Sequence, residues 1–323
     1  MNASVPGCVH TDLLASGAIE DPYYGCNETG LQWISDEDWE YGKTFTLEAS
    51  FLEYPRHEIV FEGLDTYADV FLNGTRLFSA DNMFREWRID CGKLLRAGEN
   101  TVRIVFHSPR EIEKRLADEY PFGLPGGNRV FTRKAAYQYG WDWAPRLVTM
   151  GVWKPARIVA WRDARIENAS FTPDRFEPSI ESGEKIRSAF YTATLDVEAE
   201  ERTEAEVEIY VDGEAARISR HGTAGTAAKR LRIELSRGTN TFNLLFEIPS
   251  PELWWPNGMG GHRLYEIRAA VSVGGAEVSE MTKSIGVRTV DLVTEPGGGG
   301  EGFHFMINGR PVFMKGANWV PME

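Results

Sequence analysis

Residues 68–78 read ADVFLNGTRLF, and this short stretch indicates how most of the chain folds. Ala68–Leu72 is largely apolar, Thr75–Phe78 ends in two apolar residues, and Asn73-Gly74 separates the two runs. Asparagine and glycine both accept the positive φ that a two-residue turn between antiparallel strands requires. The stretch therefore predicts a β-hairpin.

Similar two-residue turn sequences recur through residues 163–290. In this region aromatic residues become fewer, and apolar and polar residues alternate more regularly. Asp212-Gly213 and Gly274-Gly275 are hairpin turns between alternating runs. Short strands separated by turns at intervals of about ten residues, without helices, are typical of an immunoglobulin-like β-sandwich. The six candidate strands are Ser188–Glu198, Ala205–Val211, Arg230–Leu235, Thr241–Ile248, Tyr265–Val273 and Ala276–Ser284.

The region before residue 163 combines strands with two predicted helices. His10–Ser16 is a short candidate helix that Gly17 ends. A second helix begins after Ser108, because this serine can cap it, Pro109 suits the first helical position and Glu111 completes a capping box. This aromatic-rich region predicts a first, separate β domain.

A third region follows the glycine run at 297–300. Asn308-Gly309 predicts another hairpin, and the chain then continues through Lys315-Gly316-Ala317-Asn318-Trp319. So few residues cannot bury an independent core. We therefore expect three parts, 1–162, 163–294 and 295–323, with the chain stopping just after the third domain begins.

Composition excludes several classes of function. The 323 residues carry a formal net charge of −13, which argues against nucleic acid as a partner. No apolar run is long enough to span a membrane, and the first residues show no signal peptide, which favours a cytoplasmic location. Three scattered cysteines and six histidines show neither a disulfide framework nor metal-ligand spacing, so we expect no metal and no cofactor.

The densest candidate site is the segment 137–145, YQYGWDWAP. Trp141 and Trp143 flank Asp142, and indole rings stack on the apolar face of a pyranose. A carboxylate accepts short hydrogen bonds from sugar hydroxyls. The residues allow two interpretations: a sugar-binding site, or two tryptophans in the core with Asp142 capping a loop.

Other candidate positions have structural alternatives. Asn318 and Trp319 follow a strand-like run, and barrel enzymes place site residues at such positions. A strand end with a packed tryptophan is an equally simple structural interpretation of these two residues. The residues around Trp254-Trp255 favour an interdomain plug over a binding site. Arg133-Lys134 favours a solvated basic pair over a substrate contact. Asn27-Glu28 is compatible with either a structural role or a position near a site.

Several segments together resemble the β-mannosidases of glycoside hydrolase family 2. The combination of GWDW at 140–143 with KGANW at 315–319 resembles β-mannosidases more than the β-galactosidases or β-glucuronidases of the family. Ala144 departs from the family, which usually has glycine there. Further matching segments are VPGCVH at 5–10, DPYYG at 21–25, LQWI at 31–34 and DWEY at 38–41.

The resemblance implies a mainly β fold: a jelly-roll-like β-sandwich, an immunoglobulin-like β-sandwich and the first strands of a truncated (β/α)₈ barrel. It also implies that the two catalytic glutamates lie in the barrel, outside this chain, and that both ends of the chain are clipped. The substrate-binding residues it implies here are Trp141, Asp142, Trp143, Asn318 and Trp319.

The expected activity is that of a retaining exo-β-mannosidase acting on β-mannoside oligosaccharides or glycoconjugates, with this chain inactive alone. Two alternatives stay open. One is a standalone carbohydrate-binding β-sandwich module, and the other is a sibling exo-glycosidase such as an exo-β-glucosaminidase.

Overall fold

The structure is a computed structural model that describes residues 1–180, 185–222, 227–294, 296–297 and 300–319, with only the backbone for 296–297 and 300–301. The chain divides into two compact units. One contains Met1–Ala160 with Asn318 and Trp319, and the other contains Trp161–Ala317. The three-part division at residues 162 and 294 stays a prediction.

The first unit is mainly β, with one longer helix. Its strands form a four-stranded antiparallel sheet in the order β1-β6-β3-β4, a three-stranded sheet in the order β5-β2-β9, and the isolated hairpin β7-β8. In chain order its elements are α1 (Val9–Ala15), α2 (Asn27–Gly30), β1 (Trp39–Leu47), β2 (Arg56–Phe61), β3 (Tyr67–Leu72), β4 (Thr75–Asp81), β5 (Trp87–Asp90), β6 (Gly98–Phe106), α3 (Pro109–Glu119), β7 (Tyr139–Trp141), β8 (Ala144–Arg146) and β9 (Ala156–Trp161). Short 3₁₀ turns occupy Gln32–Asp36, Ala49–Glu53, Asn128–Phe131 and Ala136–Gln138.

The two larger sheets of this unit share one apolar core. Phe61 of β2, Val70 of β3 and Phe106 of β6 are fully buried in the same cluster. Removing such large apolar side chains from water is the main favourable contribution to folding. The unit is therefore a β-sandwich, as the sequence predicts.

Local chemistry sets the turns and caps of this unit. Asn73 and Gly74 have φ of 49° and 81°, and they join β3 to β4 as predicted. The Ser108 hydroxyl accepts a hydrogen bond from the Glu111 backbone N–H at 3.4 Å, and Pro109 is the first residue of α3. The prediction of this helix start is confirmed.

The second unit is an antiparallel β-sandwich. One sheet has the order β10-β11-β16-β14, and the other has the order β13-β12-β17-β18 with β15 paired to β12. The elements are β10 (Ala164–Glu177), β11 (Ser188–Ala199), β12 (Thr203–Val211), β13 (Glu214–Ala215), β14 (Ile218–Arg220), β15 (Leu231–Leu235), β16 (Gly238–Pro249), β17 (Tyr265–Val273), β18 (Ala276–Ile285), β19 (Val290–Val293), β20 (Pro296–Gly297), β21 (Gly300–Glu301), β22 (His304–Ile307) and β23 (Arg310–Val312).

All six strands predicted for this region are present. In β11 every second residue is buried, which is the pattern of a strand with one face on the core. Tyr191 and Phe246 pack together in that core. Strand β10 was not predicted from the sequence, because register shifts at 166–168 and 173–175 interrupt its alternation.

The last described hairpin belongs to the second unit. β22 and β23 are joined by Asn308 and Gly309, with φ of 50° and 71°, and β22 pairs antiparallel with β19. Asn308 Nδ2 donates to the Trp254 carbonyl at 2.9 Å, which ties this hairpin to Trp254 within the second unit. An interdomain plug at Trp254-Trp255 stays a prediction. Residues 313–319 follow without regular structure, so a barrel strand there stays a prediction. Part of the glycine run and Pro321 lie outside the described residues.

Within the described ranges, no helix is both long and apolar enough to cross a membrane.

Candidate functional site

The segment 137–145 forms a small hairpin with an exposed tip. β7 and β8 pair through Tyr139 with Arg146 and through Trp141 with Ala144, so Asp142 and Trp143 form the two-residue turn. Both turn residues are exposed. A two-residue turn leaves little freedom between the strands, so the direction of the tip follows the base of the hairpin.

Gly140 allows the two strands to meet at this base. Its φ of 77° lies in the left-handed region, which glycine adopts without strain. A Cβ at this position would lie 3.0 Å from Arg146 Cβ and 3.1 Å from Arg146 Cα. Glycine is therefore needed here for both conformation and space.

The two indoles stand in solvent beside each other. Trp141 and Trp143 are 59% and 68% exposed, and their ring centroids lie 6.1 Å apart at an interplanar angle of 65°. The interpretation of these tryptophans as core residues is therefore wrong. An edge-to-face pair of exposed indoles beside a carboxylate offers both apolar area and a hydrogen-bond acceptor.

Residues of the α2 region hold the second strand of the hairpin. Glu28 Oε1 accepts a hydrogen bond from the Arg146 backbone N–H at 2.9 Å. Gln32 Nε2 donates to the Arg146 carbonyl at 2.8 Å, and Gln32 Oε1 accepts from the Arg146 guanidinium. The structure thus shows a structural role for Glu28, one of the two roles that the sequence left open.

The first strand of the hairpin is held by helix α3. The Tyr139 hydroxyl donates to Glu113 Oε1, which also accepts from the Thr132 hydroxyl at 2.9 Å. Glu113 is only 4% exposed. Burial, and then the hydrogen bond to Glu113, raise the pKa of Tyr139, so this phenol stays protonated.

Glu113 was not predicted from the sequence as a residue that supports the site, although its helix position gives one signal. Glu113 is four residues after Pro109 and three before Leu116, which places it near the inward face of α3. A carboxylate on an inward helix face needs hydrogen-bond donors from another element. Those donors come from positions 132 and 139, which local patterns do not connect to 113.

Lys134 has a different environment from the predicted one. The sequence favours a solvated Arg133-Lys134 pair, but only Arg133 is exposed. Lys134 is buried, and its ammonium donates to Asp65 and to the Thr149 carbonyl. Burial lowers the pKa of Lys134, although Asp65 acts in the opposite direction. Isolation from water therefore excludes Lys134 from a substrate contact.

Asn318 and Trp319 are exposed, with Trp319 at 86%. They are assigned to the same compact unit as the hairpin. Among the described residues, no hydrogen bond joins them to Trp141, Asp142 or Trp143, whereas the hairpin holds those three residues side by side. Within the described part of the chain, no group of histidine, cysteine, aspartate and glutamate has a geometry suited to a metal ion.

Comparison with known families gives two matches along the chain. Residues 1–154 match the glycosyl hydrolase 2 galactose-binding domain-like family, and residues 175–288 match the glycosyl hydrolases family 2. The chain therefore carries N-terminal domains of glycosyl hydrolase family 2.

Within this family the chain is similar to the N-terminal part of β-mannosidases. It is 33% identical to the β-mannosidase of Capra hircus over 338 residues, covering 99% of this chain and 36% of the relative. It is 32% identical to β-mannosidase B of Emericella nidulans over 330 residues, covering 99% of this chain and 36% of that relative. The chain thus spans about 36% of the length of these curated relatives.

A solved structure agrees with this similarity. The crystal structure of the β-D-mannosidase from Dictyoglomus thermophilum matches with a TM-score of 0.85 and 36% identity. The match covers 99% of this chain and 38% of that chain. The mainly β fold expected from the resemblance is confirmed, and no complete barrel is present among the described residues.

Proposed function

We propose that this chain is the N-terminal part of an exo-acting, retaining β-mannosidase that releases terminal, non-reducing β-D-mannose. The observation that carries the proposal is the exposed Trp141-Asp142-Trp143 tip on an anchored hairpin, in a chain similar to β-mannosidases along nearly its whole length. In this proposal the tip contacts the terminal sugar, and Asn318 and Trp319 lie beside the same pocket.

The bond-breaking chemistry belongs to the barrel in this proposal. A retaining glycosidase uses two carboxyl groups about 5–5.5 Å apart, one as nucleophile and one as acid and base. This chain supplies binding instead. Asp142 accepts hydrogen bonds from sugar hydroxyls, while Trp141 and Trp143 cover the apolar face of the ring. We refer below to the polypeptide in which this chain continues into a catalytic barrel as the barrel-containing enzyme.

Replacement of Asp142 tests the proposal. A hydrogen bond to a charged group is worth roughly 1.5–3 kcal/mol, so Asp142→Ala should lower kcat/KM for an aryl β-mannoside about tenfold to a hundredfold in the barrel-containing enzyme. Asp291→Ala is a matched control, because Asp291 is an exposed aspartate on β19. Unchanged kcat/KM in Asp142→Ala would remove Asp142 from the site.

A panel of aryl glycosides tests the sugar specificity with the same enzyme. We expect faster hydrolysis of the β-mannoside than of the β-glucosaminide, the β-galactoside and the β-glucuronide. A preference for the β-glucosaminide would favour the sibling exo-glycosidase. Binding of a mannoside without hydrolysis of any substrate would favour the standalone module.

A further inference from the structure

We propose that Glu28 and Glu113 are positioning residues that together fix the direction of the Trp141-Asp142-Trp143 tip. Neither carboxylate lies at the tip, and each acts through one residue at the base of the hairpin. The inference rests on the proposed function, because it assigns a supporting pair of carboxylates to the sugar-binding site.

The two carboxylates act on directly opposite residues. Tyr139 and Arg146 are cross-strand partners, and they form the basal pair of the hairpin. Glu113 accepts from the Tyr139 hydroxyl, and Glu28 accepts from the Arg146 backbone N–H. One strand is therefore anchored to α3 and the other to α2, which are separated by more than 75 residues in the sequence.

Such a short hairpin needs external anchors. β7 and β8 contain three residues each and are paired only with each other. A two-stranded hairpin is at best marginally stable in water on its own. The tip residues are exposed, so they add little packing of their own. The orientation of the tip therefore depends on the contacts of the basal pair.

The buried environment of Glu113 supports its role in positioning the hairpin. Placing a carboxylate in the interior is unfavourable unless donors compensate for the lost water. Among the described residues, Glu113 accepts hydrogen bonds from two hydroxyl groups, those of Tyr139 and Thr132. Thr132 also contacts the Tyr67 hydroxyl at 3.1 Å, which links the network to strand β3 of the main sheet. The hairpin is thus connected to the rigid sandwich through Glu113.

Single substitutions on the Glu113 side, made in the barrel-containing enzyme, give the first test of the inference. Misplacement of a binding group by about 1 Å can reduce catalysis up to a hundredfold, so we expect Glu113→Ala and Tyr139→Phe each to lower kcat/KM about tenfold or more. Glu113→Gln keeps an oxygen that accepts from Tyr139 and should restore most of the activity. Glu119→Ala, an exposed glutamate on the same helix, is the matched control.

The Glu28 side is tested in the same way. Glu28→Ala removes the acceptor for the Arg146 N–H, Glu28→Gln keeps it, and Glu37→Ala is the control at an exposed glutamate nearby in the sequence. Thermal unfolding of every variant identifies those that lose the fold, and Tyr139→Phe, which removes one oxygen, keeps the test valid if Glu113→Ala unfolds.

Combination with a triple variant that replaces Trp141, Asp142 and Trp143 by alanine separates positioning from general stability. If Glu113 and Glu28 act through the tip, each of their alanine variants should change kcat/KM less than twofold in the background of this triple variant. Independent, multiplicative losses would overturn the inference. A loss with Asp142→Ala but none with Glu113→Ala, Tyr139→Phe or Glu28→Ala would overturn it and leave the proposed function intact. No loss with Asp142→Ala would instead remove Asp142 from the sugar-binding site that the proposed function assigns to the tip.

Discussion

His10 is a buried histidine next to a buried ion pair. Its Nδ1 has no hydrogen-bond partner among the described residues, and it lies in the field of Lys134 and Asp65. Burial, and then the positive charge of Lys134, lower the pKa of His10 to about 4. The folded protein therefore holds this imidazole neutral over a range in which an unfolded chain would protonate it.

The free energy of unfolding should consequently fall as the pH is lowered from about 6.5 toward 4, because the unfolded state binds an additional proton there. The loss amounts to about 2 kcal/mol at pH 5 relative to neutral pH. We expect His10→Phe, which cannot titrate, to show a correspondingly flatter pH dependence in urea unfolding between pH 7 and pH 5. Equal slopes for wild type and variant would contradict this account of His10.

Contacts between residues that are far apart in the sequence could not be predicted. Lys134 and Asp65 are 69 residues apart, and Thr132 and Glu113 are 19 apart, yet each pair meets in the interior. A local pattern contains no information on such partners, and a lysine without a known partner is normally assigned to the surface. The exposure of Trp141 and Trp143 likewise depends on tertiary structure rather than on residue type.

At the scale of the element, the β7–β8 hairpin depends on Gly140. Substitution by alanine would place a Cβ against Arg146 and would force a positive φ on a residue that disfavours it. We expect Gly140→Ala to distort the hairpin while the sandwich stays folded. The paired indoles provide a signal in far-ultraviolet circular dichroism, because two indoles at 6.1 Å couple.

This coupling is measured as the difference between wild type and Trp141→Phe. The same subtraction in the Gly140→Ala background should give a much smaller difference if the hairpin is distorted. Gly17→Ala is a matched control, because Gly17 also has a positive φ but no heavy atom near the position of a Cβ. An undiminished difference in Gly140→Ala would show that the hairpin tolerates the methyl group.

Turns were the elements best predicted from the sequence. Asn73-Gly74, Asp212-Gly213, Gly274-Gly275 and Asn308-Gly309 all adopt positive φ and join paired strands. Their conformation follows from residue type within two positions, so no distant partner is needed. Strand β10 was missed for the opposite reason, since its bulges depend on pairing with β11.

At the scale of the whole molecule, the proposal separates sugar binding from hydrolysis. This chain spans about 36% of the length of its curated relatives, and the resemblance assigns both catalytic glutamates to the barrel. We therefore expect the purified 323-residue chain to hydrolyse no aryl β-mannoside, while the barrel-containing enzyme does. Turnover by the purified chain, retained after removal of contaminants by size exclusion, would show that the catalytic carboxylates lie within it.

The most direct measurement is a crystal structure of the barrel-containing enzyme with a mannose-configured inhibitor. The account predicts an Asp142 carboxylate oxygen about 2.6–3.2 Å from a sugar hydroxyl, with Trp141 or Trp143 against the ring. An inhibitor bound in the barrel while Asp142 and both indoles remain in solvent, away from the sugar, would contradict it.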